Sequence, residues 1–283
     1  MADHLNGAGM GGQEAHYSAR DIETRILTAL RAAGLNPEQR LSPAELGALD
    51  HFHTGGFRAS LVLKELAQIR ADDRVLDVGA GLAGPARMLA ASPGCRVDCI
   101  ELSPDYCVAA TLLNKLTGLQ DLVDVHEGSA LDMPFADASF DAVWMQNVGM
   151  NIADKRRLYR EIHRVLKPGG RFAFQEMVAG RGEASYFPLP WATLPTDNLL
   201  VSADDMRALL ADGGFAADYF EDVSDVPLPA PAAGTPDGVP QAPLSLSVYV
   251  DNLAQKAENA TRSVREGQIR LYRGVFRASR ASA

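Results

Sequence analysis

The chain has 283 residues, 47% of them hydrophobic, enough to bury a substantial core. Its net charge of −9 is a poor match for a phosphate backbone, and no apolar run reaches the ~18 residues needed to cross a bilayer, so neither nucleic acid nor a membrane is an expected partner. Cys95, Cys99 and Cys107 are too few and too irregularly spaced for a disulfide framework or a zinc site, and read as reduced structural thiols.

Residues 1–16 read as a small polar, disordered tail with the features of no export signal, which makes a cytoplasmic location the expectation. Helical spacing of Ile22, Ile26, Leu27 and Leu30 predicts a helix over residues 18–33, stopped by Gly34. Ser42-Pro43 with Glu45 predicts a helix start, and a third helix is expected over 56–69. The pattern then alternates. Strands are predicted at 74–78, 96–100, 122–126, 140–145 and 171–178, with helices at 84–91, 104–117 and 154–166, the last closed by Lys167-Pro-Gly-Gly170. Such alternation points to a parallel α/β sheet covered on both faces, with right-handed crossovers. Lys155, Arg156 and Arg157 read as a solvated helix face. Residues 180–202 are irregular, 203–211 helical and 215–223 extended; 227–243, with six prolines, is a loop; 244–266 reads as a long helix and 269–276 as a final strand.

Gly79-Ala-Gly81-Leu-Ala-Gly84 stands between a strand and a helix with G-x-G-x-x-G spacing, and Glu101 ends the next strand, where a carboxylate can take both ribose hydroxyls. Read literally this is a dinucleotide fingerprint. Asp77, however, would repel a pyrophosphate and favour a ligand carrying an ammonium or sulfonium. Asp77 can equally serve the turn itself by accepting backbone N–H bonds.

Four stretches then resemble, in order, the class I S-adenosylmethionine methyltransferases: Val75-Leu-Asp-Val-Gly-Ala-Gly81; Glu101-Leu-Ser; Gly128-Ser-Ala-Leu-Asp-Met-Pro-Phe135 followed by Asp141-Ala-Val-Trp-Met; and Arg164-Val-Leu-Lys-Pro-Gly-Gly170. Asp50-His-Phe-His-Thr-Gly-Gly56, Gly-Pro-Ala-Arg87 and Gln146-Asn-Val-Gly-Met-Asn-Ile152 are similar to the sarcosine/dimethylglycine N-methyltransferases, a group that also takes in sterol, phosphoethanolamine and natural-product methylating enzymes. The resemblance implies a Rossmann-like sheet of seven strands, mostly parallel with the last antiparallel, under an N-terminal helical cap. It divides residues 17–283 into a cap (17–70), a cofactor-binding core (71–180) and a lid, proline-rich loop and C-terminal helix and strand (181–283). It also implies methyl transfer from S-adenosylmethionine to a small-molecule acceptor, an amine first and a hydroxyl or carbon as alternatives. A nicotinamide oxidoreductase and a non-catalytic S-adenosylmethionine-binding protein stand as competing readings. Oligomeric state is not legible, and direct displacement requires no metal.

The resemblance places the cofactor against Tyr17, Asp77, Gly79, Ala80, Gly81, Glu101, Leu102, Ser129, Ala130, Leu131, Gln146 and Asn147. Ser129 stands where many members carry Asp. His53 and Glu176 are the candidate catalytic groups, as base or acceptor-pairing carboxylate; each has a plainer alternative, ordering the Gly55-Gly56 turn and capping a turn. His51, Asn151 and Trp191 are candidate acceptor contacts, with His51 and His53 on one side of an extended segment and Trp191 in a lid over 188–195. Arg87 reads either as a partner for a ligand carboxylate or as a surface ion pair, and Arg58 as a second available cation.

Overall fold

The computed structural model describes residues 21–182, 186–226 and 244–279. Tyr17 and the proline-rich stretch 227–243 therefore lie outside the described residues. Among the described residues three helices come first: α1 (Ile22–Ala32), α2 (Pro43–Asp50) and α3 (Gly56–Ala67). Ser42 starts α2 as predicted: its hydroxyl accepts from the Glu45 amide while the Glu45 carboxylate takes the Ser42 amide at 2.7 Å.

The sheet is built from β1 (Arg74–Val78), β2 (Arg96–Glu101), β3 (Val123–Glu127), β4 (Phe140–Gln146), β5 (Leu166–Ala179), β6 (Phe215–Asp222) and β7 (Ile269–Ala278). Between them run α4 (Gly84–Ala91), α5 (Pro104–Thr117), α6 (Lys155–Val165), α7 (Ala203–Asp212) and α8 (Leu253–Arg265). The order is β3-β2-β1-β4-β5-β7-β6; β7 is antiparallel to both neighbours, as the resemblance implied. Alternation along the strands divides the core. Val75, Ala142 and Trp144 pack with Leu63 and Leu89 on one face, whereas Leu76, Val143 and Met145 pack with Leu158 and Ile162 on the other. All three cysteine thiols are free, and burial pushes each of them up, so they behave as apolar filler.

Two expectations need correction. The stretch 244–266 is not one helix: Leu246–Val248 is a single 3-10 turn, and α8 starts only after Asn252, whose φ of 54° breaks the helical path. The β-branched and hydroxyl residues of Ser245-Leu-Ser-Val248 favour helix weakly, so tertiary packing of Leu244, Tyr249 and Val250 against α1 and α2 residues decides the path. β5 also begins earlier than predicted: Lys167-Pro-Gly-Gly170 is carried inside the strand as a bulge, with the pairing jumping from Phe140–Leu166 to Ala142–Arg171.

The strand order reverses between β1 and β4, the place where ligands collect at the carboxyl ends of an open α/β sheet.

Candidate active site

A cavity of about 800 Å³ opens at that edge. The turn after β1 forms its floor. Gly79 has φ 66°, and its amide donates to the Ile100 carbonyl at 2.8 Å, so the turn is tied to β2. A Cβ on Gly79 would come within 2.6 Å of the Val148 side chain, so the loop after β4 closes on the turn only because this residue is glycine. Gly84 serves a different contact: a Cβ there would overlap the Asp50 carbonyl, and the missing side chain lets α4 start against the end of α2.

Two carboxylates from adjacent strand ends face this floor. Glu101 accepts the Gly81 amide at 2.8 Å and the Ser103 amide at 2.9 Å. Burial pushes its pKa up against those bonds. Asp77 is 2% exposed; it takes the Ala86 amide, but its Oδ2 has no partner. Burial, with repulsion from Glu101 second, pushes Asp77 up to about 8. Two other buried polar atoms of cavity-lining side chains are also unpartnered: Gln146 Nε2 and Asn147 Oδ1. Asn147 is in the left-handed region at φ 56°, a conformation that few non-glycine residues adopt. Unpaired donors and acceptors of this kind are costly unless a ligand completes them. They suit a ligand with a cationic centre flanked by donor and acceptor groups.

The loop after β3 supplies a third wall, where Ser129, Ala130 and Leu131 border the cavity with Leu102. The Ser129 hydroxyl accepts the Leu131 amide at 3.1 Å. Helix α6 pins this loop: Arg164 donates to the Met133 and Phe135 carbonyls, Arg157 to the Leu131 carbonyl, and Glu161 accepts the Met133 amide. Glu161 has no reading in the sequence and Arg164 only opens the motif to Gly170, whereas Arg157 reads as a solvated helix face; the tertiary fold turns all three toward this loop. Lys155 departs furthest from that reading. It is buried, and its Nζ donates to the Gly149, Ile152 and Leu199 carbonyls at 2.7–2.9 Å, with burial lowering its pKa.

His53 lines the cavity, and its Nε2 lies 2.9 Å from the Ser60 hydroxyl. The direction of that bond follows from its neighbours. The Trp144 indole N–H can only donate, and it donates to Gln146 Oε1 at 2.9 Å. The Ser60 hydroxyl is also 2.9 Å from Gln146 Oε1 and must donate its one proton there. Ser60 is then an acceptor toward His53, which carries its proton on Nε2 and keeps the Nδ1 lone pair. Burial, then the nearby His51 and Arg273, push His53 down to about 3, so the ring is neutral at physiological pH.

The structure separates other residues that the sequence grouped. His51 does not line the cavity; its Nδ1 is 2.6 Å from Asp50 Oδ1, in the packing between α2 and α4. The two rings stay in contact, with centroids 5.5 Å apart, but only His53 reaches the cavity, because His51 closes α2 while His53 belongs to the turn that precedes α3. Glu176 does not line the cavity either. Fully buried, it accepts the Val148 and Gly149 amides at 2.9 and 3.1 Å, and burial pushes it up to about 7. It holds the loop after β4 from behind. Arg87 is neither a ligand partner nor a surface pair. It is fully buried, bound to Asp50 Oδ2 at 2.7 Å and to Asn114 Oδ1 at 2.8 Å. Gly81 is absent from the wall, its amide being spent on Glu101. Asn151 and Trp191 do line the cavity; the Trp191 indole N–H is bonded to Asn198 Oδ1 at 2.9 Å. Sequence reading missed one wall entirely: Leu253, Ala257, Ala260 and Val264 form a stripe of α8 along the cavity. Their helical spacing is visible in the sequence, but it reads as a core-facing stripe.

Residues 76–174 match a methyltransferase domain family. Methyltransferase GfsG of Streptomyces halstedii is 32% identical over 193 residues, which are 67% of this chain and 69% of that protein. The chain belongs to the methyltransferase family. This methyltransferase is also 39% identical over 111 residues to the glycine/sarcosine/dimethylglycine N-methyltransferase of Actinopolyspora halophila, a match covering 39% of the chain but 20% of that longer protein. Among solved structures, a sarcosine dimethylglycine methyltransferase assignment from Galdieria sulphuraria superposes with TM-score 0.62 at 20% identity, over 90% of this chain and 98% of that one. The geranyl diphosphate C-methyltransferase from Streptomyces coelicolor A3(2), in complex with Mg2+, geranyl diphosphate and S-adenosyl-L-homocysteine, gives 0.59 at 20% identity over 77% and 79%. At such identities the superpositions speak for the fold. Among the described residues, no helix is long and apolar enough to cross a membrane.

Proposed function

We propose that this methyltransferase transfers a methyl group from S-adenosylmethionine to a small-molecule acceptor, with an amine as the acceptor group. The observation that carries the donor assignment is the unpartnered, buried Asp77 carboxylate oxygen beside the Gly79 turn, one strand from Glu101. A cationic ligand with a ribose meets both needs, and a pyrophosphate meets neither. When bound, S-adenosylmethionine supplies a methyl group already activated on a sulfonium, open to direct displacement.

The chain's residues would then divide the work. Asp77, Gln146 and Asn147 would hold the charged amino-acid end, Glu101 the ribose, and Ser129, Ala130, Leu131 and Leu102 the adenine. His53, neutral and with its Nδ1 lone pair kept by Ser60, would accept a hydrogen bond from the nucleophile's N–H or O–H and aim it. Glu176 and Lys155 would act as positioning residues, through the loop that they hold. Residues 17–70, 71–180 and 181–283 would serve as cap, cofactor-binding core and lid of one catalytic unit.

A hydroxyl acceptor is the second reading, favoured by the neutral His53 ring, whose Nδ1 lone pair can take a hydroxyl proton. Incubation with radiolabelled methyl donor and matched amine and alcohol acceptors tests both. Label recovered in an amine product supports the first, and in an ether the second. Donor binding with no labelled product from any acceptor would point to a binding protein without catalysis.

A further inference from the structure

Apart from the residues proposed to hold the donor, the cavity lining has a consistent chemistry. Its walls are Phe52, Met150, Met177, Trp191, Leu199 and the α8 stripe around Ala260, with His53 and Asn151 as polar points. Among the described residues, no Lys or Arg lines any part of the cavity, whereas Asp50, Asp77, Glu101 and Asp154 do. Three of the buried cations are already engaged. Arg87 is held by Asp50 and Asn114, the three lysine protons of Lys155 go to three carbonyls, and Arg273 is bonded to Gln175.

We infer that the acceptor is an uncharged, largely apolar molecule that presents a single N–H or O–H to His53 and carries neither carboxylate nor phosphate. This names the acceptor class for the methyl-transfer reading above and rests on it. An anionic group brought among these apolar walls would lose its hydration and find no cation, whereas the donor's carboxylate would meet the unpartnered Gln146 amide N–H at the polar end. An apolar chain instead trades water for Met150, Met177, Trp191 and the α8 stripe. The volume agrees: about 800 Å³ lies high in the roughly 300–1,000 Å³ range of single-ligand pockets. It leaves space for a bulky partner beside a nucleoside. Sarcosine and dimethylglycine, the substrates in the relatives' names, are small carboxylates that would leave most of this apolar wall uncovered.

The test loads the protein with S-adenosylhomocysteine and titrates 1-dodecanol, dodecanoate and sarcosine separately at pH 8, following Trp191 emission. Trp191→Phe removes the signal and so identifies its source. We expect dodecanol to bind about thirtyfold or more tighter than dodecanoate, and sarcosine to give no saturable signal. The Ala260→Arg variant is expected to reverse the order between alcohol and carboxylate while S-adenosylhomocysteine affinity stays within threefold. Equal or tighter binding of dodecanoate, saturable binding of sarcosine, or no binding of dodecanol would each overturn the inference. The donor reading fails separately: absence of heat on adding S-adenosylhomocysteine refutes it, and the dodecanol titration of unloaded protein still judges the acceptor chamber.

Discussion

Replacing Asp77 by Asn removes a charge that folding alone does not want. An ordinary aspartate ionises near 3.8, and burial in the folded chain pushes this one up to about 8. The sign follows: stability is full below the unfolded value and is lost as pH rises toward the folded one, at 1.36 kcal/mol per unit. At pH 7, about three units above the unfolded pKa, on the order of 4 kcal/mol of stability is withheld. Asn carries no such loss. Asp77→Asn is therefore expected to be more stable than the wild type by a margin that widens by about 3 kcal/mol between pH 5.5 and 7.5. For a chain of this size that margin is roughly 5–10 °C in melting temperature. The same change removes the partner of a buried cation, so S-adenosylmethionine should bind more weakly by about 2–5 kcal/mol, a factor of thirty or more. Denaturant melts of ligand-free protein at the two pH values, with calorimetry of both proteins, read the two effects. A margin that does not change with pH, or a variant that binds the donor as tightly as the wild type, would refute this account of Asp77.

The remaining predictions concern the surrounding residues. Glu176→Gln should keep donor affinity within threefold, because Glu176 does not line the cavity. It should also gain stability on the wild type as pH rises from 5 to 7, the range over which its raised pKa costs the native protein about 2–3 kcal/mol. Gly79→Ala, forced against Val148, should cost about 2–4 kcal/mol of stability and abolish measurable donor binding, whereas Gly81→Ala, which meets no atom within 4 Å, should cost only the left-handed strain of about 1–2 kcal/mol. Ser60→Ala frees His53 Nε2. Nitrogen-15 spectra of the imidazole should change from a single Nε2–H tautomer to a mixture, and kcat should fall roughly tenfold with donor affinity unchanged. In the wild type the same spectra should show no protonation of His53 above pH 5.

Much of the scaffold was readable because local pattern and tertiary demand agree. The bounds of β1, α4 and α5 coincide with their predicted limits, since a turn or cap residue stands at each end. The part of the cavity proposed for the donor was readable for the same reason: Asp77, Gly79, Glu101 and the loop from Gly128 are adjacent in sequence to strand ends that the sheet brings together. The part proposed for the acceptor was not, because its walls come from Met177, Trp191 and α8, distant segments whose apolar residues look like ordinary core. Charged residues misled most. Arg87 and Lys155 read as surface or ligand-facing groups, yet both are buried with every available donor turned to the fold's own carbonyls and carboxylates, apart from Arg87 Nε. Only three-dimensional packing distinguishes a cation that recognises a ligand from one that builds the wall behind it.

The donor assignment faces its most direct test in a calorimetric titration of the intact protein with S-adenosylmethionine and, separately, with NAD, each in two buffers of different ionisation enthalpy at pH 7. Asp77 is largely protonated before the cation arrives and ionised after it, so the account predicts one saturable site for S-adenosylmethionine, with proton release approaching one per site, and no binding of NAD. Saturable binding of NAD, or S-adenosylmethionine binding whose heat is the same in both buffers, would contradict it.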